Sequence, residues 1–347
     1  MRRKVCSFLA LVCVLALAVG LSACAGETPV SGASGSSASP EAPTTTTATP
    51  RETVRIYGIA GPTGVGLVQL KQASESGSTP HDYRIEFATA PDEIVGKLST
   101  EAADIAAIPT NLAANLYQKK SGAVRMIALN TRGVLSILEN GNSIQSVADL
   151  KGRTIYSTGQ GSNPEFILRH ILKQNGIDPD RDVTLQFLTQ NEEMATLLVK
   201  GTAQVALVPE PLATTVMTKN TSLRRALSID DAWGRIADGA TPMMGCLVVR
   251  TAFLEEHKDV VDAFLADYAA SVSKAESDLE GTAALCEQYK VIASAAIAKE
   301  AIPRCSLTCI TGSAMRPAIE GYFEVLFGGN PAALGGAMPD DTFYYAG

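Results

Sequence analysis

Four short turns carry the residue types best suited to holding a small polar ligand. Gly61-Pro62-Thr63-Gly64 and Pro109-Thr110-Asn111 lie early in the chain; Gly161-Ser162-Asn163-Pro164-Glu165 and Pro209-Glu210-Pro211 follow. Each has a capping Thr, Ser or Asn, or a proline suited to the first helical position. Backbone N–H groups at helix starts have no intrahelical acceptor, so they point outward where a ligand can take them. Gly61 and Gly64 would also let backbone approach a ligand closely. Glu165 and Glu210 place carboxylates beside two of the turns, whereas no Lys or Arg occupies any of them; Arg132 is the nearest basic candidate. Helix starts alone suit an anion, and two carboxylates nearby suit a cation or an amine-bearing ring.

Other chemistries lack their residues. The glycine-rich turn is neither GxGxxG nor a Walker loop, because no Gly-Lys-Ser/Thr follows it. No Ser/His/Asp set, pair of catalytic carboxylates or HExxH stands out. The histidines His81, His170 and His257 are scattered singly, and Cys305-x3-Cys309 has none beside it, so neither a metal nor another cofactor is expected. With a formal charge of −7, the chain is no basic nucleic-acid binder. Its 46% hydrophobic and 19% charged residues exclude a disordered protein, and its 347 residues allow two domains.

The turns sit between short β-branched runs and helical patterns. Val54 to Tyr57, Tyr83 to Phe87 and Asp104 to Ile108 read as strands, with helices over Gly64 to Ala73 and Pro91 to Leu98. Strands spaced by helices of this length predict βαβ units and a largely parallel sheet. The order then recurs: residues 93–113 align without gaps on 193–213, with seven of 21 positions identical, among them Pro109/Pro209 and Ala113/Ala213. A counterpart of the first glycine-rich turn follows Thr154-Ile155-Tyr156.

The repeat predicts two similar α/β lobes, residues 52–131 with 246–347 and residues 132–245. Met126 to Leu138 would cross between them and Cys246 to Arg250 would carry the chain back. The mostly helical remainder, including His257 to Ala275 and Ser313 to Leu326, would pack on the first lobe. Two connecting strands make a hinge, and a hinge between lobes makes a cleft.

The N-terminal region indicates the compartment. Arg2, Arg3 and Lys4 precede an apolar stretch of 14 residues, Phe8 to Leu21, too short to span a bilayer and shaped like an export signal. Leu21-Ser22-Ala23-Cys24 then resembles a bacterial lipobox, cleaved before a lipid-modified cysteine. Residues 1–23 would be the signal peptide and residues 24–51 a disordered Ser/Thr/Pro-rich tether, whose acyl chains on Cys24 hold the body at the extracytoplasmic face of a membrane. Cys246, Cys286, Cys305 and Cys309 remain in a compartment that permits disulfides, with three pairings open and Cys286–Cys305 a candidate.

The segments DIAAIPTNLA, SVADLKGRTIYSTGQGSNPEFIL, LVPEPLATT and AIPRCSLTCITG together resemble substrate-binding lipoproteins of ABC transporters, in the nitrate/sulfonate/taurine and thiamine-precursor group. The resemblance covers residues 53–345 and the lipobox. It implies a type II periplasmic-binding-protein fold with a two-strand hinge. It further implies a monomer that captures a small polar solute and delivers it to a membrane permease. Carried over by position, it supports Gly61, Pro62, Thr63, Gly64, Pro109, Thr110, Asn111, Ser162, Asn163, Pro164, Glu165 and Glu210 as ligand contacts, and adds Thr131 near the hinge. The alternatives are an enzyme on the same fold, like chorismate dehydratase or the pyrimidine synthases, and a lipid-anchored sensor without a transport role.

Overall fold

A computed structural model describes residues 51–236 and 241–347. The expected signal peptide, Cys24 and all of the tether but Arg51 lie outside the described residues. Two sheets organise the chain. The first half runs β1 (Thr53–Ile59), α1 (Pro62–Val65), α2 (Val68–Glu75), β2 (Asp82–Ala88), α3 (Pro91–Ser99), β3 (Ile105–Pro109), α4 (Thr110–Lys119) and β4 (Val124–Thr131). The second runs β5 (Leu135–Asn140), β6 (Thr154–Thr158), α5 (Asn163–Gln174), β7 (Thr184–Leu188), α6 (Asn191–Val199), β8 (Val205–Pro209), α7 (Leu212–Lys219), β9 (Leu223–Ser228) and α8 (Ile229–Gly234). The chain then returns through β10 (Gly245–Arg250), α9 (Thr251–Glu256), α10 (Lys258–Ser277), α11 (Leu279–Gln288), α12 (Ala295–Ala301), β11 (Leu307–Ile310) and α13 (Met315–Gly329). No described helix is long and apolar enough to cross a membrane.

The sheet orders are β11-β4-β10-β3-β1-β2 and β7-β6-β8-β5-β9. In each, the βαβ units pair in parallel: β1 with β2 and β3, β6 with β7 and β8. The next strand is antiparallel in both, β10 against β3 and β5 against β8. The sheets are therefore mixed rather than largely parallel, because the strands beside the crossings enter from the opposite direction. Only Arg132 to Val134 separates β4 from β5, so the outward crossing is shorter than Met126 to Leu138. Cys246 to Arg250 does not cross at all: β10 lies inside the first sheet, and the chain has returned by Met244.

Period-two alternation explains why the repeated strands read as continuous apolar runs. In β3, Ala106 and Ile108 join one core while Ile105 and Ala107 join another on the opposite face. In β8, Val205 and Leu207 face the first core while Ala206 and Val208 face a third. Strands covered by helices on both sides need apolar residues at every position. The final helices divide their contacts. α10 packs on α2, as expected for the first half, but α13 packs on α5 of the second, with Tyr322 edge-on to Trp233 at 5.8 Å. The C-terminal region thus does not lie on the first half alone, since the apolar face of α13 completes a core shared by both sheets.

A carboxylate paired with two arginines pins the end of the first sheet away from the helix starts. Asp104, 1% exposed, accepts from Arg55 N at 2.9 Å, Arg55 Nε at 2.8 Å, Arg55 Nη2 at 2.6 Å and Arg250 Nη2 at 3.0 Å. Burial works against its charge, but the hydrogen bonds from Arg55, joined by Arg250, hold the carboxyl below its ordinary value. That contribution is intact above about pH 4 and is lost as acid protonates the folded state. Asp104→Ala is expected to lower unfolding free energy by about 2 kcal/mol at neutral pH, read from urea denaturation, because Arg55 can rehydrate while the backbone N–H loses its acceptor.

Candidate functional site

The strand ends and helix starts of both halves converge on one cleft of about 640 Å³. From the first half come the β1–α1 turn, the starts of α3 and α4, and Thr131 at the end of β4. From the second come the starts of α5, α6 and α7. Gly61, Pro62, Thr63, Pro109, Asn111, Thr131, Ser162, Asn163, Pro164 and Glu210 line it. Three other expected contacts stand behind the wall for identifiable reasons.

Gly64 is buried against its own strand, where a Cβ would fall 2.6 Å from the Ile59 carbonyl oxygen, so its glycine serves helix–strand packing. Gly61, by contrast, opens α1 at φ 110°, a backbone that a side chain would strain. Thr110 is fully buried and points along the return crossing, its hydroxyl donating to the Met243 carbonyl at 2.6 Å. Glu165 folds back onto its own turn, accepting from Gly161 N at 2.7 Å and from Arg169 Nε at 2.7 Å.

Glu210 reaches the cleft wall but is fully engaged. One oxygen pairs with Arg225; the other accepts from Thr214 N at 3.2 Å and Thr214 Oγ1 at 2.8 Å. Asn163 is 3% exposed, and its Oδ1 has no hydrogen-bond partner. Thr131 donates to Asn130 Oδ1 at 3.0 Å, and Asn130 Nδ2 donates to the Thr63 carbonyl at 3.1 Å. Asn130 thereby ties the hinge end of β4 to the first turn.

Sequence reasoning missed several lining residues. Pro91 and Asn191, 100 positions apart, open α3 and α6, and the same helix-start rule applied to the strands before them would have found both. Asp92 sits exposed at the rim in the first turn of α3. Val291, Ile292 and Ala293 come from the segment after α11, which no local pattern marks as a wall. Arg132, the nearest basic candidate, is exposed and does not line the cleft. All four described cysteines are free thiols. Cys286 and Cys305 share one apolar cluster, where burial pushes the Cys286 thiol up to about 12 and raises that of Cys305 as well.

The matching family profile is described as ABC transporter, phosphonate, periplasmic substrate-binding protein, and it spans residues 74–292. Among solved structures, an ABC transporter protein from Parabacteroides distasonis superposes with a TM-score of 0.72 at 20% identity, covering 84% of this chain and 98% of that one. The periplasmic aliphatic sulphonate binding protein SsuA of Escherichia coli gives 0.66 at 16% identity, covering 82% and 89%. The alkanesulfonate-binding protein SsuA of Xanthomonas axonopodis pv. citri, bound to MOPS, gives 0.61 at 15%, covering 82% and 94%. These likenesses establish the periplasmic-binding-protein fold. No curated protein sequence matches the chain.

A half-buried carboxylate beside the outward crossing yields a pH prediction. Asp230 Oδ1 has no partner and sits where a Cβ on Gly133 would be, 1.5 Å from that position. Burial raises the Asp230 carboxyl to about 6; Asp231 adds to the rise and Arg132 opposes it. Protonated, the group costs the fold little, and stability is lost as pH climbs through the raised value. Asp230→Asn is therefore expected to stabilise the protein on the order of 2 kcal/mol at about pH 8, with the gain vanishing near pH 4, measured by denaturation at both.

Proposed function

The chain belongs to the ABC-transporter phosphonate periplasmic substrate-binding proteins, and from that premise we propose that it captures a small solute in the cleft and delivers it to a membrane permease. The observation that carries this reading is the convergence of helix starts from both sheets on one cavity, with the two crossings at its base. The first sheet with its helices and the second sheet with its helices act as the two lobes, and α13 packs against the second although it follows β11 of the first. The lining residues expected from sequence, from Gly61 to Glu210, make the ligand contacts. Gly64, Thr110 and Glu165 hold those contacts from behind. The protein works as a monomer and binds without turnover. The Leu21-Ser22-Ala23-Cys24 pattern supports a lipid on Cys24 that keeps the body on the extracytoplasmic face.

Native mass spectrometry of protein taken straight from its host is expected to detect a co-purified small molecule, and re-adding it to stripped protein should reduce the radius of gyration in solution scattering. A chain that carries nothing and keeps constant dimensions would count against the clamshell. Asn111→Ala or Asn163→Ala should weaken the co-purified molecule's binding by roughly 1–3 kcal/mol, by calorimetry, with little change in melting temperature. Cys24→Ser should move the protein from the membrane fraction to the soluble one.

A further inference from the structure

We propose that the cleft selects a ligand whose polar end is uncharged and carries both a hydrogen-bond donor and an acceptor on an apolar body, and that it discriminates against free oxyanions. The inference rests on the cleft being the binding site, as proposed above. It begins with the helix ends of the second half, where an arriving anion would be expected to bind.

The start of α7 is already occupied by the protein's own carboxylate, and a second carboxylate holds the turn that leads to α5. Glu210 accepts from Thr214 N inside α7, and Glu165 accepts from Gly161 N in the turn leading to α5. Each charge is balanced from behind the wall, Glu210 by Arg225 and Glu165 by Arg169. An oxyanion reaching the start of α7 meets a resident carboxylate at an N–H group it would otherwise take. Among the described lining residues there is no Lys, Arg or His to offset it, and the exposed Asp92 adds another negative charge at the rim. Repulsion of this kind is how a site rejects the wrong ligand class.

Asn163 supplies the positive half of the argument. Asn163 is 3% exposed, lines the cleft, and has a buried Oδ1 with no partner. A carboxamide oxygen needs a donor, which a sulfonate or a phosphonate dianion lacks, whereas an amide-type edge supplies a donor and an acceptor together. Around this point the walls are apolar: Pro62, Pro109, Pro209 and Pro211 face a cavity completed by Leu112 and Ile292. Such walls favour an apolar body over a hydrated ion.

The test compares three probes on one ring, benzenesulfonate, benzenesulfonamide and benzamide, by ligand-observed NMR with the full chain at roughly millimolar probe, where fragments of this size bind. The two neutral probes should bind about tenfold more tightly than the sulfonate. Asn163→Ala should remove most of the neutral binding. Glu210→Gln, which unmasks Arg225 and the start of α7, should raise affinity for the sulfonate; circular dichroism and a melting curve check that this variant folds. Sulfonate binding equal to or tighter than that of the amides overturns the inference, as does silence from both neutral probes or neutral binding unchanged in Asn163→Ala. A co-purified oxyanion from the host also overturns it, yet leaves the carrier reading intact. A chain that carries nothing and never closes fails the carrier reading itself.

Discussion

Each sheet is completed by an antiparallel strand that enters beside the crossings, and the rest of the architecture follows from this pairing. β10 joins β3 with Gly245 opposite Pro109, and β5 joins β8 with Leu135 opposite Pro209. Both entering strands thus begin at the carboxyl end of a parallel strand, the end from which helices start and where ligands sit in open α/β sheets. The crossings and the helix starts are consequently forced to the same side of the molecule. A cleft there needs no further design, because the crossings join its two walls at their roots.

The electrostatics of that cleft depend on what already occupies the helix ends. A free helix start invites an anion, but an internal carboxylate satisfies the same N–H groups and reverses the local preference. Glu210 does this at the start of α7, held by Arg225 outside the cavity. Family membership therefore indicates the carrier architecture more directly than it indicates the charge of the cargo.

Much of the architecture was legible because it was written twice. The 100-residue repeat puts Pro109 and Pro209 at equivalent strand ends, and its helix patterns fall on α3 and α6, so two related halves could be read before any coordinates. Periodicity marks an apolar strand but not the sheet it joins, which is why Cys246 to Arg250 read as a crossing rather than as the strand beside β3. The same limit hid the packing of α13 on α5, since an apolar helix face does not name its partner. At the site, residue type located the turns but not the direction of each side chain. Thr110, Gly64 and Glu165 have the right chemistry in the right turns, yet all three are committed to the protein's own backbone or side chains. Val291 to Ala293 arrive from a distant segment whose approach depends on the packing of α11 and α12.

The repeat also explains how binding can be coupled to the hinge. Thr110 and Glu210, 100 positions apart, each follow the strand-end proline, and each donates its backbone N–H to a crossing: Thr110 to the Met244 carbonyl at 3.1 Å, Glu210 to that of Val134 at 2.9 Å. Met244 N in turn donates to the Thr131 carbonyl at 2.9 Å, joining the two crossings to each other. A ligand that pulls on the start of α4 or α7 therefore pulls on the hinge backbone through one hydrogen bond, with no loop to absorb the motion. The helix starts that line the cleft and the crossings are then parts of one hydrogen-bonded unit, so under the proposed reading binding energy in the cleft can act directly on closure.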